Sequence, residues 1–229
     1  MGRARAQAQI PIFPLAEVVH FPRTDLRLHI FEPRYRQLVR DLLAREEGAR
    51  WIGMVLLKPG GREDEDGRPE IFDAGTAGRL IAVDFLPDGR SNIVLRGGFR
   101  FEVERELDTR PYRQAIVRPL EELEVAERDP DLAALRRDLL ELTASVAREM
   151  GERFPLDEQA VAELPGVELE ELVNRLAAEL DLPPRRKLQL LVESLPERAA
   201  NLLGILRARR RVLDLLRPFR HLAGENDSN

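Results

Sequence analysis

The chain has 229 residues, a formal net charge of −5, 43% hydrophobic and 34% charged residues, and no cysteine. A chain this long can bury a core without covalent staples, and the composition belongs to a folded protein rather than a disordered one. The missing thiols exclude disulfides, cysteine nucleophiles, Cys-ligated zinc and iron–sulfur clusters, and they suit a reducing compartment.

Charge is unevenly spread: residues 1–120 carry +2 and residues 121–229 carry −7. Neither half has the concentrated positive footprint that duplex binding needs. Residues 1–9 are polar and lack the apolar segment of a secretory signal. No apolar run reaches the roughly 20 residues that span a bilayer. The expectation is a cytoplasmic protein that does not associate with membranes.

Two patterns follow one another along the chain. Residues 10–120 read mostly as strands. The exception is Phe31, Tyr35, Leu38, Val39, Leu42 and Leu43, which fall on one helical face, with Pro33 suited to the first turn. Trp51-Ile52-Gly53-Met54-Val55-Leu56-Leu57 is a short apolar run closed by Pro59-Gly60-Gly61. Residues 75–86 are β-prone and stop at Pro87-Asp88-Gly89, after which Asn92-Ile93-Val94-Leu95 completes a hairpin. Beyond Gly97-Gly98, Phe99, Phe101 and Val103 alternate with charged residues, as in a half-buried strand. Tyr112 to Val117 gives another strand.

From Glu121 the period becomes 3.6. Asp129-Pro130 opens a helix carrying Leu132, Leu135, Leu139, Leu142, Val146 and Met150, and Gly151 ends it. A second helix carries Leu169, Leu172, Val173, Leu176 and Leu180. Pro183-Pro184 opens a third, with Leu188, Leu191 and Val192 inward. Ser194 caps a fourth, with Leu202, Ile205, Leu206, Leu213 and Leu216 inward and Pro218 at its end. Strands followed by helices predict an α+β protein: a β domain with one helix over residues 10–122 and an antiparallel helical bundle over 123–220. Residues 1–9 and 224–229 are expected to be flexible termini.

The chemistry-bearing residues are sparse. Lys58 and Lys187 are the two lysines, and neither sits in a phosphate-binding loop. His20 and His29 lack metal-ligand spacing and are expected to be structural, and His221 lies near the end. The acidic run at 63–67 begins like a calcium loop, but the alternation fails at Arg68. Ser194 and Lys187 lack a glycine-rich oxyanion turn, so Ser194 reads as a helix cap. These readings predict no catalytic, cofactor or metal site. Arg209 shares a stripe with Leu202, Leu206, Leu213 and Leu216, so it is expected to be a buried or interface charge, paired with an acid from a neighbouring helix or lying in an interface.

The opening stretch, Ile10-Pro11-Ile12-Phe13-Pro14-Leu15-Ala16-Glu17-Val18-Val19-His20-Phe21-Pro22 followed by Leu28-His29-Ile30-Phe31-Glu32-Pro33-Arg34-Tyr35, resembles the N-terminal substrate-binding domain of Lon proteases. It is most similar to a stand-alone bacterial branch without the ATPase and protease modules. Gly75-Thr76-Ala77-Gly78-Arg79-Leu80, Asn92-Ile93-Val94-Leu95-Arg96-Gly97 and Arg100-Phe101 continue the resemblance in order, as does the helical stretch 164–195. Arg23 stands where that family often has glycine.

The resemblance implies a PUA-like six-stranded pseudo-barrel holding one helix, followed by a helical bundle. It also implies recognition of unfolded or substrate polypeptides, with a possible adaptor role in proteolysis or protein quality control. RNA binding is the alternative, since PUA-like barrels elsewhere bind RNA, although a strand half at +2 argues against it. The signature residues are Phe13, Pro14, Leu15, Phe21, Pro22, Phe31, Glu32, Arg34, Tyr35, Gly75, Gly78, Gly97 and Arg100. Phe13, Leu15, Phe21, Phe31 and Tyr35 are expected in the core, with Ile30. Pro14 and Pro22 are expected at strand ends. Glu32 and Arg34 are expected to cap the helix or to tie it to the barrel as an ion pair, with a partner contact as the other reading.

Overall fold

The computed structural model describes residues 7–60, 68–107, 110–121 and 129–217. The acidic run at 63–67, Pro218, His221, both terminal tails and most of the boundary stretch at 120–128 lie outside the described residues. In chain order the elements are β1 (Ala8–Leu15), β2 (Asp25–Ile30), α1 (Pro33–Leu43), β3 (Trp51–Leu57), β4 (Ile71–Phe85), β5 (Ser91–Leu107) and β6 (Gln114–Pro119). Then follow α2 (Pro130–Met150), α3 (Glu158–Glu163), α4 (Leu169–Glu179), α5 (Pro184–Val192) and α6 (Leu195–Leu216). The chain divides into two compact units, residues 1–122 with 182–193, and residues 123–181 with 194–229.

The first unit is a six-stranded mixed sheet in the order β2-β5-β4-β3-β1-β6, in which β5 also pairs with β6. That extra pairing closes five strands into a ring and leaves β2 outside it. The length of β5 makes this possible. Residues 91–96 pair with β2 on one side, and residues 101–107 pair with β6. The sequence reads a break at Gly97-Gly98, whereas the strand continues through them with a shift of register against β4.

The glycines there serve close approach: a Cβ on Gly97 would fall on the backbone carbonyl of Phe21, and one on Gly75 would fall on that of Met54. Gly78 lies beside a register shift, with Leu95 and His20 filling the space a side chain would take. One apolar cluster fills the ring, around Ile12, Val55, Ala77, Phe101 and Val117. A second lies under α1, around Ile30, Tyr35, Leu38, Leu42, Ile93 and Leu95.

The loop between β1 and β2 is pinned to β5. Gly97 N–H donates to Thr24 O at 2.9 Å, Arg23 N–H donates to Gly97 O at 2.8 Å, and Arg96 Nη1 donates to Arg23 O at 2.9 Å. Phe21 is fully buried, and Pro22 is buried beside it. Arg23 pays for this tight course with φ +62°, a conformation no other described non-glycine residue adopts. A left-handed non-glycine residue costs about 1–2 kcal/mol. Arg23→Gly is therefore expected to raise the thermal midpoint by a few degrees, against the entropy a glycine adds to the unfolded chain. A melt in which Arg23→Gly lowers the midpoint would show that the arginine's own contacts outweigh the strain.

His20 lies inside the same loop, 4% exposed. Its Nε2 is 3.0 Å from Thr24 O, and its Nδ1 is buried without a partner among the described residues. Burial pushes its pKa below the ordinary 6.5. The unfolded chain therefore binds the proton more readily, so stability is full above about pH 6.5 and falls as the pH drops below it. The limiting slope for one proton is about 1.4 kcal/mol per pH unit. Urea unfolding between pH 7 and 5.5 is expected to show this loss, and His20→Leu is expected to remove it. Parallel pH profiles for the two proteins would contradict the assignment.

α5 follows the helices in sequence but belongs to the sheet unit. It buries Leu188, Leu190 and Leu191 and leaves Val192 half exposed, so the expected inward position of Val192 is corrected. In the second unit α6 packs against α2 and α4. The capping box at Ser194 is present: Ser194 N–H donates to Glu197 Oε2 at 3.0 Å, and its hydroxyl donates to the same oxygen at 2.6 Å. α2 buries Leu132, Leu139, Thr143 and Val146. The far end of α6 corrects the sequence expectation, because Leu216 is exposed together with Val212 and Leu215. No described helix is long and apolar enough to cross a membrane.

Candidate functional site

Seven of the signature residues, Phe13, Pro14, Leu15, Phe31, Glu32, Arg34 and Tyr35, line one concavity of the sheet unit, whereas Phe21, Pro22, Gly75, Gly78, Gly97 and Arg100 lie outside it. A pocket of about 440 Å³ is lined by Phe13, Pro14, Leu15 and Ala16 of β1 and its exit, and by Leu28 and His29 of β2. Phe31, Glu32, Arg34 and Tyr35 at the start of α1 complete it with Leu57, Arg68, Pro69 and Arg113.

Local sequence explains the convergence. Pro33 at the first helical position turns the chain out of β2 into α1, so the residues on both sides of that turn face the end of β1. Tyr35 is buried and stacks on Phe13, with ring centroids 4.0 Å apart. Arg34 lies over the other part of that pair, its Cζ 4.7 Å from the Tyr35 centroid. Burial raises the Tyr35 pKa, so the phenol stays neutral at physiological pH.

Phe31 corrects the sequence expectation most sharply. It is 60% exposed, not a core residue. Its place on the helical stripe misled the reading: the helix begins only at Pro33, so Phe31 lies before it and is free of the stripe. Its ring is near that of His29, at 6.2 Å between centroids. His29 Nδ1 is 2.8 Å from Asn92 Oδ1 across the β2–β5 ladder. Phe13 and Leu15 are half-buried rather than fully buried.

Glu32 and Arg34 do form an ion pair at 2.8 Å, but it joins residues two apart and does not tie α1 to the sheet. Glu32 occupies the N-cap position without making a side-chain cap. An exposed pair of this kind contributes only about 0–1 kcal/mol, so both charges remain on the pocket rim.

The sequence reading missed Arg113. It is 7% exposed, chelates Glu106 through two hydrogen bonds of 2.7 and 2.6 Å, and donates from Nη1 to Pro69 O at 2.8 Å. It thereby fixes the wall formed by Arg68 and Pro69. Its place beside β6 in an otherwise apolar strand was the available signal. Nearby, Tyr112 donates to Asp41 Oδ2 at 2.7 Å; burial first, and then this bond, raise the Tyr112 pKa to about 12. The same bond is the main reason that the Asp41 carboxyl is held below its usual range.

Arg100 lies away from the pocket, 5% exposed, where its Nη1 donates to Leu191 O at 2.6 Å and Glu193 O at 2.8 Å at the end of α5. Arg209 is not buried. It is half exposed and donates to the Asp181 carbonyl at 2.8 Å. The neighbouring Arg210 takes the acids, bonding Glu149 at 3.0 Å and Asp214 at 2.8 Å. The buried charge of the second unit is Arg198, fully enclosed, whose Nη1 donates to Asn174 Oδ1 at 2.6 Å. That unit also has a groove of about 860 Å³ along the end of α2 and along α3, with Ala144, Ala147, Phe154 and Leu156 in its wall and Glu152 and Asp157 at its rim. None of the signature residues lies in it. Among the described residues no three His, Asp or Glu side chains are grouped to hold a metal ion.

Chemically, the sheet-unit pocket offers an aromatic floor, an exposed aromatic edge and a charged rim, which suits an apolar side chain carried on a polar backbone. The family model of the ATP-dependent protease La (LON) substrate-binding domain matches residues 9–208. The Lon protease of Flavobacterium johnsoniae is 26% identical over 218 residues, covering 94% of this chain and 26% of that protein. Lon protease 2 of Sorangium cellulosum is 34% identical over 137 residues, 60% of this chain and 16% of that protein. The chain therefore spans about a quarter or less of the length of these relatives.

Among solved structures, the N-terminal domain of a Mycobacterium avium complex Lon protease superposes with a TM-score of 0.66 at 15% identity, covering 87% of this chain and 98% of that one. A Lon N-terminal domain protein from Xanthomonas campestris gives 0.58 at 26% identity, covering 86% and 98%. The chain belongs to the Lon substrate-binding domain family.

Proposed function

We propose that this chain recognises unfolded or substrate polypeptides without catalysing a reaction on them, and that the pocket around Phe13, Phe31 and Tyr35 is where it does so. Membership of a substrate-binding domain family supports substrate recognition as its role. The observation that carries the site is Phe31, a large aromatic left 60% exposed beside a concavity lined by the family-resembling residues. Exposed aromatics flanking a pocket are the usual anchors of protein recognition.

The non-catalytic reading is supported by the commitments of the candidate nucleophile and of two histidines: Ser194 to a helix cap, His20 to a loop carbonyl and His29 to Asn92. A cytoplasmic adaptor in proteolysis or protein quality control is the cellular role consistent with this chemistry. The closed sheet is read as the PUA-like pseudo-barrel and the second unit as its helical companion. The relatives described lend no support to RNA binding.

Reduced, carboxymethylated α-lactalbumin, a permanently unfolded polypeptide, serves as the probe. Losing a buried phenyl contact of about 1.5–3 kcal/mol predicts that Phe31→Ala weakens its binding roughly 10- to 100-fold. Phe31→Asp is expected to weaken it further. Anisotropy titrations with unchanged affinity for both variants would remove the pocket from the account.

A further inference from the structure

The pocket lies where two strands run out of partners. β2 pairs with β5 on one side and with no strand on the other among the described residues. β1 changes partners halfway: residues 8–11 pair with β6, while Ile12 to Leu15 pair with β3. The side of Phe13–Leu15 away from β3 is therefore also open. An open strand edge is a template for another chain, and the two edges here differ.

On β1, Ile12 N–H donates toward the β6 side, to Arg113 O at 2.9 Å. Backbone groups alternate sides along a strand, so Pro14 would have to donate on that same open side, and proline has no N–H. The β1 edge is blunted.

On β2, Thr24 O accepts from Gly97 N–H on the β5 side. The same alternation turns the N–H and C=O groups of Asp25, Arg27 and His29 toward the open side. That edge carries no proline and ends at His29 against the pocket, with Phe31 just beyond it.

We propose that the open edge of β2 accepts an extended segment of the substrate polypeptide as an added strand, placing an apolar side chain from that segment in the aromatic pocket. This rests on the pocket reading above and specifies how the backbone is held. Addition to a sheet edge gives sequence-tolerant affinity through main-chain hydrogen bonds, with a pocket selecting alternate side chains. That combination suits a receptor for unfolded chains.

Charge indicates the occupant. Arg27 is exposed and has no ion-pair partner among the described residues. Arg36, near the same end, is spent on the carbonyls of Asp88 and Gly89 rather than on a carboxylate. The segment is therefore apolar with an acidic neighbour. A second copy pairing antiparallel about Arg27 would set that arginine against its own like, and a copy of this chain in another register is the outcome that the sedimentation arm below tests.

The test uses the full chain with the same carboxymethylated α-lactalbumin. Amide hydrogen exchange at Arg27 and His29 is expected to slow at least about tenfold on saturation, since those N–H groups gain acceptors. Arg27→Ala should weaken binding about twofold to threefold, and Arg27→Pro about tenfold beyond that, because proline removes an edge donor. Should Arg27→Pro fail to fold, the exchange measurement on the unaltered chain decides. Unchanged exchange at Arg27 and His29 while Phe31→Ala still weakens binding would overturn strand addition and leave the pocket standing. Absence of any binding by the unaltered chain would overturn both. Slow exchange at these amides without the probe, in a protein that sediments as a dimer, would give the edge to a second copy and overturn the proposal.

Discussion

Arg198→Ala is expected to destabilise the helical unit by about 3–5 kcal/mol, the usual consequence of truncating a long, fully enclosed side chain and leaving its polar partner unsatisfied. Arg198 stands one turn into α6 and is fully enclosed. Truncation opens a cavity the size of the longest side chain in that core. It also takes the donor away from Asn174 Oδ1, while Asn174 Nδ2 is already buried with no partner among the described residues. An amide unsatisfied at both ends inside a helical core costs the full desolvation of its polar atoms.

Against a total stability of about 5–15 kcal/mol, this loss should lower the thermal midpoint by the order of 10 °C. The double variant Arg198→Met with Asn174→Leu separates the causes. Replacing both by apolar groups is expected to recover part of the loss, because Asn174 is then no longer left unpaired. A circular-dichroism melt in which Arg198→Ala shifts the midpoint by less than about 2 °C would show that water enters the site and solvates Asn174.

The second large effect concerns Arg100. It joins β5 to the C-terminal end of α5, where the last helical carbonyls lack intrahelical partners and carry partial negative charge. Its bonds to Leu191 O and Glu193 O satisfy two of them from a guanidinium only 5% exposed. Hydrogen bonds to a charged donor are each worth about 1.5–3 kcal/mol.

Arg100→Ala is expected to cost a few kcal/mol, about 3–5 in all, concentrated on α5. That helix has nine residues, too few to persist by itself in water. Limited proteolysis should then cut at Arg185, Arg186 or Lys187 long before the sheet opens, and amide protection along α5 should collapse. Arg100→Lys, a point charge that cannot fork across two carbonyls, is expected to restore only part of the protection. Equal protection of α5 in the unaltered and Arg100→Ala proteins would mean that Leu188, Leu190 and Leu191 hold the helix by burial alone.

Much of the fold was legible because local signals and tertiary demands agree. Pro87-Asp88-Gly89 marked the β4–β5 turn, and Gly89 has φ +80° there. Asp129-Pro130 and Ser194 marked helix starts with their caps in place. The period of two beyond Gly98 matched β5. The illegible parts depended on long-range geometry. Gly97-Gly98 reads as a break, yet the strand continues there with only a shift of register, and the glycines admit Phe21 and Trp51 against it. α5 carries an ordinary amphipathic pattern, and nothing in that pattern says that a strand 91 residues earlier in the chain will reach its end through Arg100.

The candidate site was half legible. Its residues stood together in the sequence signature, but periodicity assigned Phe31 to the core because it stands four residues before Tyr35 and seven before Leu38. The helix starts too late for that phase to apply to Phe31. Arg209 and Arg210 show the same limit: one position on a helix decides which arginine meets Glu149 and which meets a carbonyl. Arg113 stood out only as a charge beside an otherwise apolar strand, and nothing local named its partners, Glu106 and a backbone oxygen across a loop.

Titration of the isotopically labelled chain with carboxymethylated α-lactalbumin, followed by backbone amide resonances, tests the recognition surface most directly. The account predicts that shifts and broadening gather at residues 13–16 and 27–35, with the α2–α3 groove at 144–162 unmoved. Perturbations centred on that groove, with residues 27–35 silent, would contradict it.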